Sequence, residues 1–148
     1  MLKVGDTAPD FELNQGSSLS DLRGKHHVVL FFYPGDFTPV CTKEACYFRD
    51  NSEELKQRGA RLIGISKDDE ASHDKFRSEY NLPYDLVSDV DGRLIKSYGL
   101  ARFGGLLPAK RATFVIDKTG IVRGVIHAEL SYRDHVDRAL EVLDGLQN

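Results

Sequence analysis

Val28-Val29-Leu30-Phe31-Phe32-Tyr33-Pro34-Gly35-Asp36-Phe37-Thr38-Pro39-Val40-Cys41 holds the change from strand to helix that decides the fold. The first six residues form a continuous apolar, β-branched and aromatic run closed by Pro34-Gly35, which reads as a central strand buried on both faces. Thr38 then supplies an N-cap and Pro39 the first helical position, after which Ala45, Phe48, Ser52 and Leu55 recur at helical spacing until Gly59. The spacing predicts one helix from about Pro39 to Arg58.

Downstream, Arg61 to Ser66 reads as a second buried strand, and Asp68-Asp69-Glu70 opens a helix that places Phe76 and Tyr80 on one face and stops before Pro83. Tyr84 to Ser88 is a short third strand and Gly92 to Tyr98 a short helix. Ala112 to Asp117 and Ile121 to His127, joined by Lys118-Thr119-Gly120, pattern as an antiparallel hairpin. From Ser131 a last helix carries Val136, Ala139, Leu140, Leu143 and Leu146 along one side. This order predicts an α/β domain with a thioredoxin-like fold, a central mixed sheet flanked by helices, and an extended amino-terminal segment. Gly99 to Ala109, broken by Pro108, is the one long loop.

The chain has 148 residues, 41% apolar and 29% charged, which suits one domain spanning 1–148 with a single core. A net charge of −3 from interspersed acids and bases, with no basic stripe, argues against nucleic acid as a partner. Met1 to Phe11 has no apolar h-region after it, and Val28 to Tyr33 is too short to span a bilayer. We therefore expect a soluble cytoplasmic protein without a membrane partner. In a reducing compartment its two cysteines are better read as a catalytic or redox-sensing pair than as a structural staple.

Cys41 falls on the third residue of the predicted helix, beside unpaired backbone N–H groups and the positive end of the helix dipole. Both favour a thiolate, the nucleophilic form of cysteine. By position alone it is equally readable as a small buried hydrophobe.

The spacing Pro34-x-x-x-Thr38-x-x-Cys41 resembles the active-site motif of peroxiredoxins. Thr42-Lys43-Glu44-Ala45-Cys46-x-Phe48-Arg49-Asp50 is similar to the stretch that follows the nucleophile in the peroxiredoxin Q or bacterioferritin-comigratory group. Gly5-Asp6-x-Ala8-Pro9-Asp10-Phe11 is similar to that group's opening, and Arg111 to Asp117 to its late strand. Val40 departs from the glycine common in the group, which bears on peroxide selectivity.

The resemblance implies a thiol-dependent peroxidase without metal or organic cofactor. It makes Cys41 the residue that attacks hydrogen peroxide or an organic hydroperoxide and becomes a sulfenic acid. Thr38 would hydrogen-bond the bound peroxide, which suits a hydroxyl that both donates and accepts. Pro34 would shape the shielding loop. Arg111 would assist thiolate and peroxide with a permanent positive charge, while strand alternation turns its neighbour Lys110 the other way.

Cys46 would resolve the sulfenic acid as an intramolecular disulfide, as in two-cysteine members of the group. Five residues along an ideal helix separate Cα atoms by about 9 Å, against the roughly 4.4–6.8 Å that a disulfide needs. Resolution thus requires the helix to open. Glu44 reads as a solvated helix side chain or local hydrogen-bonder rather than a proton carrier. Thioredoxin or a similar dithiol would be the reductant, and a monomer is expected.

Two rivals follow from the same residues: a disulfide reductase, which normally carries Cys-x-x-Cys rather than Cys-x-x-x-x-Cys, and a redox switch with no turnover. His26, His27, His73, His127 and His135 show no metal-ligand spacing with either cysteine. Asp89-Val90-Asp91-Gly92 puts its glycine too early for a calcium loop and reads as a turn.

Overall fold

The computed structural model describes residues 1–146. Five strands form one sheet: β1 (His27–Phe32), β2 (Ala60–Ser66), β3 (Asp85–Ser88), β4 (Ala112–Ile116) and β5 (Val122–His127). Their order is β3-β2-β1-β4-β5. The pairs β1·β2 and β2·β3 are parallel, β1·β4 and β4·β5 antiparallel. The sheet is mixed, with β1 at its centre, and the hairpin occupies one edge.

The single core expected is two, one on each face of the sheet: because side chains alternate along β1, Val28, Leu30 and Phe32 enter one and Val29, Phe31 and Tyr33 the other. The first core is closed by α4 (Arg93–Ser97), Tyr98, Leu100 and the amino-terminal segment through Ala8, Leu13, Leu19 and Leu22. The second is covered by α1 (Pro39–Asp50), α2 (Ser52–Gln57), α3 (Glu70–Tyr80) and α5 (Tyr132–Leu146). Gly64 lets this second layer come close, since a Cβ there would lie 2.8 Å from the Phe31 ring. Phe31 in turn stacks on Phe48 of α1 at 4.4 Å between centroids. Helix α1 is therefore clamped directly to the central strand.

The single helix expected from Pro39 to Arg58 is two helices, interrupted at Asn51. The Asn51 side chain donates to the Tyr47 carbonyl at 2.8 Å, and its backbone has left the helical region at φ −108°, ψ 11°. A local side-chain bond of this kind competes with the helix ladder. The other elements lie within one or two residues of their expected ends. Asp89 accepts from Leu94 and Ile95 N–H at 3.0 and 2.9 Å, so the turn read at Asp89 to Gly92 also caps α4. Inside the long loop, Phe103–Gly105 forms a 3₁₀ turn, and Arg102 bridges Leu107.

Candidate active site

The loop from β1 to α1 places the thiol. Tyr33 remains in register with β2 through its N–H to the Ile65 carbonyl at 3.1 Å, and then Pro34 and Gly35 turn the chain away. Asp36 is buried and anchors the loop by accepting from Tyr33 Oη at 2.6 Å, Ser72 Oγ at 2.8 Å and His73 Nδ1 at 2.7 Å. Its own N–H donates to Asp68 Oδ2 at 2.8 Å. Phe37 then takes φ 65°, a left-handed conformation costly for an aromatic residue, and packs its ring on Phe76 at 5.0 Å. That strained residue delivers the chain to Thr38 and the start of α1.

Thr38 is the N-cap by backbone, yet its hydroxyl does not cap; it donates back to the Gly35 carbonyl at 2.9 Å. The oxygen keeps lone pairs free to accept, in an exposed position at the mouth of the loop. Cys41, three residues on, is 1% exposed and faces the sheet. Arg111, the residue before β4, reaches it with Nη2 at 3.1 Å from Sγ. Lys110 is only half-buried while Arg111 is buried, in keeping with strand alternation.

The guanidinium is fixed on every side. Nη1 donates to Glu44 Oε1 at 2.8 Å and Nε to the Glu129 carbonyl at 2.9 Å, while the Arg111 N–H donates to Glu129 Oε2 at 3.0 Å. Burial opposes the Arg111 charge, but Glu44 and Cys41 outweigh it and hold the group above its ordinary value. A delocalised cation is thus held rigidly against a buried sulfur.

Glu44 is not solvated. It is fully buried, one turn from Cys41, and burial pushes its carboxyl up to about 8 against the opposing pull of Arg111. The spacing Cys41, Glu44, Ala45, Phe48 puts it on the inward face of α1, a signal present in the sequence. Behind it lies His135 of α5, also absent from the expected site, whose Nδ1 is 3.6 Å from Glu44 Oε2. Burial lowers His135 to about 4.

Cys46 lies on the same unbroken helix, half-buried, and both cysteines are free thiols. Burial pushes the Cys46 thiol up, with Arg49 opposing. Among the described residues one trio of side chains of metal-ligating type, Asp36, Asp68 and His73, has ligand atoms within 4.8 Å of one another. The bonds named above, with Ser66 Oγ donating to Asp68 Oδ2 at 2.6 Å, occupy those atoms in holding the loop. No described helix is long and apolar enough to cross a membrane.

A thioredoxin-like sheet whose central strand leads through a short loop to a buried cysteine, at a helix start and under a fixed guanidinium, fits the class of thiol-dependent peroxidases. The AhpC/TSA family profile matches residues 4–125. Peroxiredoxin Q, chloroplastic, of Oryza sativa subsp. japonica is 42% identical over 96% of this chain and 67% of its own length. The Arabidopsis thaliana protein of that name is 45% identical over 94% of this chain and 66% of its own. Among solved structures, peroxidoxin BcpB of Mycobacterium tuberculosis superposes with TM-score 0.93 at 42% identity, covering 100% of both chains. Peroxiredoxin Q of Xanthomonas campestris gives 0.81 at 29% identity over 93% of this chain and 90% of its own. The chain belongs to the AhpC/TSA family, the peroxiredoxins.

Proposed function

We propose that Cys41 is the peroxidatic residue of this peroxidase, and the observation that carries the proposal is Arg111 Nη2 at 3.1 Å from a buried Sγ on the first turn of α1. The thiolate attacks one peroxide oxygen, the S–O bond forms as the O–O bond breaks, and the leaving oxygen takes a proton to depart as water or alcohol. Two electrons pass from sulfur to peroxide. Arg111 faces the charge as it moves from sulfur to the leaving oxygen. The Thr38 hydroxyl, already donating to Gly35, accepts from the peroxide O–H. Pro34 and the Asp36 anchor keep the loop closed over the thiolate.

The Cys46 thiol then attacks the Cys41 sulfenic acid, water leaves, and a disulfide forms. Because α1 is continuous between the two, its turns there must open first. Burial raises the Cys46 thiol, with Arg49 opposing, so opening that exposes it removes this resistance to ionisation. Thioredoxin or a similar dithiol returns both cysteines to thiols.

Hydrogen peroxide and organic hydroperoxides are the substrates on this reading, with half-buried Val40 beside the nucleophile tuning the choice. The protein works as a monomer in a reducing compartment, the cytoplasm on our reading. Turnover of hydrogen peroxide with a thioredoxin system, lost in Cys41→Ser, tests the assignment. Reduction of insulin disulfides without peroxide turnover would make the chain a disulfide reductase instead, and neither activity would leave only a redox switch.

A further inference from the structure

The Glu44 carboxyl is held unequally. Oε1 accepts from Arg111, whereas Oε2 is buried with no hydrogen-bond partner. The base it faces is Nδ1 of His135, at 3.6 Å. The hydrogen bonds of that imidazole fix its tautomer. Nε2 lies 2.7 Å from the Ala128 carbonyl, which can only accept, so Nε2 carries the hydrogen. In a neutral ring Nδ1 then presents its lone pair, toward which the Thr113 hydroxyl donates at 2.7 Å. An ionised carboxylate would leave Oε2 facing that lone pair without a donor, with only Arg111 on Oε1 to offset the burial of its charge.

Charge across the cluster leads the same way. Arg111 is the one fixed cation, and Cys41 and Glu44 both draw on it. With Cys41 as thiolate and Glu44 protonated, these three groups and His135 sum to zero. With Glu44 ionised they sum to −1 in a buried site and divide Arg111 between two anions. Glu129 adds to that repulsion on Glu44; burial and Arg111 oppose a charge on His135 while Asp134 and Glu129 favour it, and the buried Tyr84 phenol, held neutral, faces Glu44 from before β3 without adding charge.

Resting on Cys41 as nucleophile, we propose that Glu44 carries a proton on Oε2, directed at His135 Nδ1, while Cys41 is a thiolate, and releases it when oxidation removes the sulfur's charge. In balance, the thiolate, the peroxide and protonated Glu44 give neutral sulfenic acid, water or alcohol, and Glu44 carboxylate. The S–O bond forms, the O–O bond breaks, and one proton passes from Glu44 to the leaving oxygen in the net count, through solvent. The carboxylate then takes the place of the thiolate opposite Arg111. His135 and Thr113 are positioning residues that hold Glu44 in its protonated form and leave Arg111 to the sulfur.

Infrared difference spectroscopy of the reduced Cys46→Ser protein, in which the reaction stops at sulfenic acid, reads this proton directly. Adding hydrogen peroxide should bleach a protonated-carboxyl band and raise a carboxylate band, with both absent from Cys46→Ser/Glu44→Gln. In His135→Phe the carboxyl band should shift in frequency, because the imidazole that Oε2 faces at 3.6 Å is replaced by an apolar ring. Should that variant not fold, ¹⁵N-histidine NMR of the parent substitutes, and it should show His135 Nδ1 without a proton.

No carboxyl band in the reduced protein, a band that oxidation leaves unchanged, or a protonated Nδ1 would each overturn the proposal. Mass analysis of the same samples separates the two readings: if Cys41 gains an oxygen while the band stays still, only the proton inference fails. If Cys41 is not oxidised, the peroxidatic assignment fails with it.

Discussion

Arg111 Nη2 donates to Cys41 Sγ at 3.1 Å across 70 residues of chain, and the same guanidinium grips Glu44 and Glu129. The position of the cation is thus set by two strands and a helix rather than by the flexible end of a side chain. Such preorganisation is what makes a single donor valuable as charge moves in a transition state.

Arg111→Lys keeps the charge but not the fork, and one ammonium cannot meet Cys41, Glu44 and the Glu129 carbonyl together. Its second-order rate with hydrogen peroxide should fall by about 10²–10³-fold, the range for losing one preorganised donor. Stopped-flow oxidation of the folded variant checks this. A rate within twofold of the parent would remove Arg111 from the chemistry.

Cys46→Ser leaves the Cys41 sulfenic acid without a partner, so repeated peroxide should carry it on to sulfinic acid. In the parent, oxidation should produce the intramolecular disulfide and accelerate amide exchange across Thr38 to Phe48, while β1 stays protected. Peptide mapping with hydrogen exchange reads both. A Cys41–Cys46 bond with unchanged exchange would mean that the helix need not open.

The strand-to-helix junction, the mixed sheet and the place of Cys41 at the helix start are legible because each rests on local pattern: an apolar run, a proline at the helix start, a cysteine one turn in. Glu44 reads as solvated or locally hydrogen-bonded because a charged residue on a helix is usually outside; its place on the face shared by Cys41, Ala45 and Phe48 is the one signal for the buried pair with Arg111. His135 and Thr113 could not be found, since what makes them part of the site is a contact between α5, β4 and α1 that no spacing encodes. The break at Asn51 also escaped, being one side-chain bond to Tyr47 within an otherwise helical pattern.

Asp36 fastens the active-site loop to α3 and β2, so His73→Leu removes one of three donors to a buried carboxylate. We expect a loss of roughly 1.5–3 kcal/mol, the scale of a hydrogen bond to a charged group. Denaturant unfolding measures the cost, and hydrogen exchange should show faster opening of the loop from Pro34 to Thr38. Exchange confined to α3 would show that Asp36 does not hold the loop.

Glu44 and His135 give stability opposite slopes with pH. His135 is lowered to about 4 from an ordinary 6.5, so the unfolded chain binds its proton first and stability is lost as pH falls from 6.5 toward 4. Glu44 is raised to about 8 from 4.5, so the folded chain keeps a proton that the unfolded chain gives up, and stability is lost as pH rises from 4.5 to 8. Glu44→Gln should therefore gain on the parent steadily between those two pH values and hold a constant difference above 8. Parallel denaturation series across pH test it, and a constant difference throughout would place an ionised Glu44 in the folded protein.

Mass analysis of the reduced protein after one equivalent of hydrogen peroxide tests the central claim most directly. The account predicts a Cys41–Cys46 disulfide in the parent, a single added oxygen on Cys41 in Cys46→Ser, and no oxidation on that timescale in Cys41→Ser. Oxidation appearing first at Cys46, or an untouched Cys41 in the folded parent, would contradict it.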